Sequence, residues 1–173
     1  LFGIVQGGFC ADERRRSAEA LIALPFEGYA IGGLSIGEAR GITREMVTLS
    51  AAMLPADKPR YLMGIGTPED LLHSVGAGVD MFDCVLPTRH ARHGTVLTTG
   101  GRLNLRNARF ANDDLPLDPA FPASPAARWS RAYLRHLLMT NEPTGGRLLT
   151  LHNLAWLLDF VDRLRAAIDE GRF

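Results

Sequence analysis

The most constraining feature of this chain is a unit that recurs: a short apolar strand, a glycine turn and an amphipathic helix. Leu1 to Gly8 reads as a strand that begins abruptly and runs into a turn at Gly7 and Gly8. Ala11 to Leu24 carries a charged cluster (Asp12, Glu13, Arg14, Arg15, Arg16), then Ala18, Leu21, Ile22 and Leu24 at helical spacing, and stops at Pro25. Gly28 to Gly37 is a second strand breaking into a glycine-rich loop, followed by a helix marked by Ile42, Met46, Leu49 and Met53. Arg60 to Ile65 is a third strand. Thr67-Pro68-Glu69-Asp70 then reads as a helix start, with Thr67 as N-cap and acids in the first turn; Leu71, Leu72 and Val75 form that helix's expected buried face. Val79 to Leu86 is a fourth, buried strand stopped by Pro87. Strands at intervals of roughly thirty residues with intervening helices call for a parallel sheet, either doubly wound or a barrel. Four units would make half of an eightfold (β/α) barrel, whose two edges would be unpaired. A second half, on another chain or lost, is therefore expected, and the abrupt first strand suggests a cut chain.

The fourth strand holds the chemistry. Asp83 lies near its carboxyl end, and Thr88 to Gly94 then supplies Arg89, His90, Arg92 and His93 in what reads as a cationic loop. Carboxyl ends of parallel strands carry the active groups of α/β proteins, and paired arginines suit a polyanion. The plainer reading is an acid neutralised by a neighbouring arginine.

Nineteen basic and nineteen acidic residues cancel, so any affinity for nucleic acid must come from a local patch; Arg89, Arg92, Arg102, Arg106 and Arg109 form one in sequence. Cys10 and Cys84 are far apart and in no metal spacing, which fits a reducing compartment. With no apolar run long enough for a bilayer and no leader, the expected location is cytoplasmic, with no membrane partner. Beyond Gly94 the organisation changes. Thr95 to Thr98 and Arg102 to Leu105 flank Gly100-Gly101 as a hairpin, and Asp113 to Ala127, rich in proline and alanine, reads as an irregular loop that needs an anchor. Trp129 to Met139 resumes helical spacing. Asn153 to Ile168 is a longer helix with Leu154, Leu157, Phe160, Val161, Leu164 and Ala167 on one face, able to cover the fourth strand. The expected divisions are 1–94, 95–152 and 153–173.

Five blocks carry a resemblance: Gln6-Gly7, Tyr29 to Leu34, Tyr61 to Gly66, Asp80 to Arg89 and Asn104 to Phe110. Together they resemble the C-terminal half of bacterial tRNA-guanine transglycosylase, also called queuine tRNA-ribosyltransferase, over nearly the whole chain. The resemblance implies an α/β fold, half of a (β/α)8 TIM-type barrel with an appended hairpin and helical subdomain. It implies a transferase that exchanges guanine at the tRNA wobble position for a 7-deazaguanine precursor of queuosine. Asp83 would be the nucleophile, attacking the ribose anomeric carbon as retaining glycosidases do. Asp80, of opposite parity along the strand, would be structural.

The resemblance also assigns a pocket. Gln6 would hydrogen-bond the purine, Gly32, Gly33 and Leu34 would offer backbone groups, and Met63 would wall the base. Gly64, Ile65, Gly66, Thr67, Pro68, Glu69 and Asp70, with Thr88, Arg89, His90, Ala91 and Arg92, match the family's RNA-contacting stretches. Gly32 and Gly33 read equally as turn glycines, Met63 as core, and the arginines as solvated charges. Two departures stand out. The family's Cys-x-Cys-x-x-Cys zinc ligands are replaced by Phe121, Ala123 and Ala126, and His152 alone remains, so no metal cofactor is expected and His152 becomes a polar residue at the start of the last helix. The half that brings the general acid/base aspartate is not in this chain. The readings are then a transferase completed by a second chain, a catalytically degenerate module binding tRNA or guanine, and, less well supported, an unrelated barrel glycosidase. Trp129, Tyr133 and His136 match a patch the family uses to form homodimers.

Overall fold

β1 (Phe2–Val5), α1 (Ala11–Ile22), β2 (Gly28–Ile31), α2 (Arg40–Met53), β3 (Arg60–Leu62), α3 (Pro68–Gly76) and β4 (Met81–Phe82) alternate along the first part of the chain in the computed structural model, which describes all 173 residues. Every pairing is parallel and the strands lie in chain order, β1-β2-β3-β4. That order decides the topology. A doubly wound sheet reverses at a switch point, whereas a barrel adds each strand beside the last, so these elements are arranged as half of a (β/α)8 barrel.

Register and side-chain alternation separate two faces. Val5, Ile31, Leu62 and Phe82 align on one face, and the first three are fully buried in a core with Ala18, Met46, Val47 and Ala51 from α1 and α2. Each such Val, Leu or Ile contributes about 1.5–3 kcal/mol. Ile4, Ala30, Tyr61 and Met81 align on the other face, where Ile4 and Met81 stay 42% and 46% exposed. α2 buries Thr43, Met46, Val47, Ser50 and Ala51, leaving Ile42 at the rim. α3 starts as the sequence indicates: the Thr67 hydroxyl accepts from the Asp70 N–H and Pro68 opens the helix. Leu71 is buried, but Leu72, expected beside it, is exposed.

The strand expected over Val79 to Leu86 ends at Phe82, and the loop expected from Thr88 is instead α4 (Leu86–Arg92). Pro87 does not stop the chain there. It sits in the first turn of a helix, where its missing N–H has no carbonyl to lose, and the Arg89 N–H donates to the Val85 carbonyl at 2.9 Å. Two compact units result, Leu1–Cys84 and Val85–Phe173. The sequence suggested divisions after Gly94 and His152; α4 belongs to the second unit because it packs on α6 and β5.

Within Val85–Phe173, β5 (Thr95–Thr98) and β6 (Gly101–Asn104) form the expected hairpin, slipped by one residue, with Gly101 at φ 105°. A 3-10 turn (Ala108–Phe110), α5 (Arg131–Met139) and α6 (Pro143–Asp169) follow. α6 begins at Pro143, well before Asn153. Gly145 is what permits this, since a Cβ there would stand 2.9 Å from the Leu137 Cβ. Its buried stripe also differs from the expected one: Leu154 is exposed, while Leu149, His152, Asn153, Trp156 and Leu164 point inward.

The reason is the free edge of β5, which pairs with β6 on one side only. Asn153 Oδ1 accepts the Leu97 N–H at 2.9 Å, its Nδ2 donates to the Thr95 and Pro87 carbonyls, and His152 Nε2 meets the Leu97 carbonyl at 2.7 Å. Two polar side chains of α6 thus take the place of a third strand and remove an unpaired edge. The proline-rich segment is anchored by Leu117 and Phe121, and by Asp118, whose Oδ2 accepts from the Thr99 N–H (2.7 Å) and hydroxyl (3.0 Å). No helix is long and apolar enough to cross a membrane.

Candidate active site

Gln6, Gly32, Met63 and Asp83 each follow the last residue of β1, β2, β3 and β4. They share the parity of Ile4, Ala30, Tyr61 and Met81, so strand alternation directs them to the face not covered by helices, one row further toward the carboxyl ends. The parallel ladder continues into this row, because Gly32 N–H donates to the Val5 carbonyl (3.0 Å) and Met63 N–H to the Ile31 carbonyl (3.1 Å). The Gln6 amide lies against Gly32 and Gly33. A Cβ on Gly32 would come 2.6 Å from Gln6 Nε2, and one on Gly33, whose φ is 68°, would come 2.5 Å from Gln6 Oε1. The amide is the mobile end of a long side chain and could shift to admit a Cβ, so close approach alone does not demand glycine; the positive φ demands it at Gly33. Leu34 is buried under this turn, and Met63 is half-buried.

Asp83 is exposed at the end of β4. Its Oδ1 accepts from the Tyr61 hydroxyl at 2.6 Å and from the Gly64 N–H at 2.8 Å. Those two bonds outweigh its slight burial and hold the carboxyl below its ordinary value, so it stays ionised; the same bond and burial raise the Tyr61 phenol. Tyr61 was not singled out from sequence, although its place two residues before Met63 on a strand puts both side chains on one face. Asp80 behaves as opposite parity requires: its Oδ2 accepts the Arg60 N–H at 2.8 Å, away from this row.

Two more residues shape the site. Arg14, a member of the charged cluster that opens α1, is completely buried. It donates from Nε to the Gly8 carbonyl (2.7 Å), from Nη2 to the Gly32 carbonyl (3.0 Å) and from Nη1 to Ser50 Oγ (3.3 Å). It ties the turn after Gln6 to the turn under Gly33. Burial lowers its pKa, and Glu38 opposes that. The signal was present in sequence, because Arg14 precedes Ala18 by four residues and Leu21 by seven, on the apolar stripe of α1. Glu38 folds back on its own loop, accepting from the Ile36 and Gly37 N–H groups (2.9 and 3.1 Å), from Ser35 N–H and from the Thr43 hydroxyl at 2.6 Å. Burial pushes its carboxyl up, but these donors win and lower it to about 2.

The stretches assigned to RNA contact fall in different units. Gly64 is exposed with φ 74°, Ile65 and Gly66 are buried, and a Cβ on Gly66 would overlap Cys84. Thr67 and Pro68 begin α3, and Glu69 and Asp70 are ion-paired to Arg40, Asp70 also to Arg44. In α4, Pro87 and Ala91 face inward, Thr88 donates to the Val85 carbonyl, and Arg89 and Arg92 are exposed. Half-buried His90 is pushed down by burial and by Arg102, Arg89 and His93. Trp129 and Tyr133 stack at 4.9 Å, with Tyr133 and His136 at the surface.

A zinc ion does not fit the residues present. Phe121, Ala123 and Ala126 offer no donor, and no group of three His, Cys, Asp or Glu could hold a metal. His152 is not a polar residue opening a helix, as expected, but a fully buried one within α6, with both ring nitrogens engaged. Nδ1 meets Ser124 Oγ at 2.7 Å, Nε2 meets the Leu97 carbonyl, Ser124 Oγ accepts the Ala126 N–H, and the Phe121 ring packs edge-on at 6.1 Å. A neutral imidazole donating from Nε2 satisfies every group in this chain of contacts.

The family profile described as Queuine tRNA-ribosyltransferase matches residues 1–173. Proteins named queuine tRNA-ribosyltransferase from Solidesulfovibrio magneticus and Symbiobacterium thermophilum are each 53% identical over 173 residues, 100% of this chain and 46% and 43% of theirs. That from Nitratidesulfovibrio vulgaris is 54% identical over the same residues, 46% of its length. The chain spans somewhat under half the length of these relatives, and with identity at this level along its whole extent it belongs to the queuine tRNA-ribosyltransferase family.

Proposed function

We propose that Asp83 is the nucleophile of a base exchange on tRNA, in which guanine at the wobble position is replaced by a 7-deazaguanine. The observation that carries this reading is the placement of an ionised, exposed carboxylate on the same strand-end row as Gln6, Gly32 and Met63. One carboxylate oxygen forms a bond to the ribose C1′ as the bond from C1′ to guanine N9 breaks, and the electron pair leaves with the base. Guanine takes up a proton as it departs. Tyr61, its pKa raised, is a poor donor for that proton, and we assign the acid to the portion of the relatives' length that this chain does not span. The incoming base then attacks C1′ as it loses its own N9 proton, and the Asp83 carboxylate is released. Tyr61 and Gly64 hold Oδ1, which fixes the carboxylate's orientation before the substrate arrives. Gln6 and the Gly33-Leu34 backbone supply the polar edge of the base pocket, and Met63 its apolar wall. Phe121, Ser124 and His152 replace zinc in this chain, and Tyr133, exposed on its stack with the half-buried Trp129, is a contact for a second copy.

The test is a trapped adduct. Combined with an N-terminal half from one of the relatives, the chain should form a denaturation-resistant complex with a tRNA anticodon stem-loop when no acceptor base is present. Asp83→Asn should abolish it while leaving RNA affinity nearly unchanged, since an amide is nearly isosteric but a far poorer nucleophile. Base exchange by Asp83→Asn would refute the assignment. Failure of the unmutated chain to form any adduct would favour a module that binds RNA or guanine without turnover.

A further inference from the structure

We propose that the cleft between α4 and α6 is a docking groove for the phosphate backbone of RNA, an inference that rests on the reading that this chain engages tRNA and extends the contact assigned to residues 88–92. The cleft measures about 660 Å³ and is lined by Arg92 from α4, Arg106 from the turn after β6 and Arg147 from α6, with Thr88, Thr150 and Glu142. All three guanidiniums are exposed, and none has a hydrogen-bond or ion-pair partner in the protein. Three unpaired cations facing one cleft with a single carboxylate repel each other and concentrate positive potential, an arrangement that a polyanion relieves.

Helix geometry places these groups together. Thr88 and Arg92 are four residues apart on α4, and Arg147 and Thr150 three apart on α6, so each helix turns one arginine and one threonine to the same side. The threonine hydroxyls donate to carbonyls of their own segments, Thr150 to Gly146 at 2.8 Å and Thr88 to Val85 at 3.1 Å. The arginines, with the exposed Asn141 amide, are then the cleft's side-chain donors for an anion. No aromatic ring lines the cleft, so it lacks a platform on which bases could stack. Its chemistry selects phosphate over base, and its contribution should not depend on RNA sequence. Glu142 offsets one of the three charges without pairing with any of them: it accepts the Thr144 hydroxyl at 3.3 Å and forms no ion pair with the three arginines, so the cleft keeps a net positive charge.

The experiment uses the full chain and an anticodon stem-loop RNA, with the binding constant measured across a series of salt concentrations. Replacing Arg106 and Arg147 together by alanine should lower the slope of log K against log salt by about 1.4–1.8, the loss expected for two phosphate contacts. A stem-loop of scrambled sequence should lose the same increment. Arg163→Ala with Arg165→Ala removes the same charge from α6, where these residues pair with Asp159 and Asp162, and should leave the slope unchanged. The groove is refuted if the Arg106/Arg147 variant keeps the parent slope, if the Arg163/Arg165 variant loses as much, if polyglutamate of matched charge binds as tightly as the RNA, or if the parent chain binds no RNA. The adduct test at Asp83 is read on a different observable, so refutation of the groove leaves the base-exchange reading standing, and the reverse also holds.

Discussion

The two units of this chain treat their cations differently. In Leu1–Cys84 every arginine is engaged: Arg14 and Arg60 on backbone carbonyls, Arg15 and Arg16 on acids of their own helix, Arg40 and Arg44 on Asp70. In Val85–Phe173, Arg89, Arg92, Arg102, Arg106 and Arg147 have no such partner. The edge of β5 in the second unit is closed by neutral groups, the Asn153 amide and the His152 imidazole, while Asp118 and the Arg131–Asp113 pair hold its irregular segment. The contrast is physical. The first unit must hold four strand ends and their turns in one arrangement, and a guanidinium with several directed donors does that; in the second, Arg131 and Arg135 play that part, and the arginines of α4 and the hairpin do not.

The comparison breaks most visibly at Arg14. Arg14→Met keeps much of the bulk but strands two backbone carbonyls and a serine hydroxyl, and leaving such groups unpaired costs about 1–3 kcal/mol each. A loss of about 3 kcal/mol or more is expected from the urea midpoint at unchanged m-value. A loss below about 1 kcal/mol would mean that the buried guanidinium does not organise the first unit.

His152→Leu is the corresponding break in the second unit. It strands the Leu97 carbonyl and Ser124, with an expected loss of about 2 kcal/mol. In the parent chain the melting temperature should not respond to a chelator, and zinc should be far below one atom per chain; stoichiometric zinc would overturn the neutral network. Burial lowers the His152 pKa, against the Leu97 carbonyl and Asp118. A depressed histidine favours the fold fully above its ordinary value near 6.5 and loses that contribution as pH falls through the folded value. His152→Leu should therefore flatten the stability profile below about pH 6.5. An unchanged slope would show that His152 is not buried neutral.

The smallest effect sharpens the difference between the two acids that flank β4. Asp80→Asn weakens an exposed bond to the Arg60 N–H and should lower stability by about 0.5–1.5 kcal/mol without changing base exchange. Asp83→Asn should do the reverse. Equal effects of the two on exchange would undo the parity argument.

Much of this arrangement was legible without coordinates. The recurrence of strand, glycine and helix required a parallel sheet, the Thr67-Pro68 start of α3 followed from capping chemistry, and the parity of Asp80 and Asp83 separated their directions. These are local or periodic signals, and period-2 and period-3.6 patterns survive whatever the chain packs against. Where sequence reasoning went astray, a tertiary partner had replaced the local rule. Pro87 looked like a terminator because proline breaks strands, yet it opens α4. Pro143 to Gly146 gave no helical signal because glycine is a poor helix former, yet α6 needs Gly145 to approach Leu137.

By itself, then, the sequence determined the βα alternation and the strand-end position of Asp83, because each depends only on residue type and spacing; that Phe121, Ala123 and Ala126 stand at metal-ligand positions came from the family resemblance instead. The tertiary structure alone decided that β1 to β4 lie in chain order, that Arg14 is buried between two turns, that His152 and Asn153 close the edge of β5, and that Arg92, Arg106 and Arg147 share one cleft. Each of those depends on which groups distant in sequence come within hydrogen-bonding or electrostatic range. A buried arginine and a solvated one, or a metal ligand and an edge-capping histidine, are the same letter until the fold supplies their neighbours.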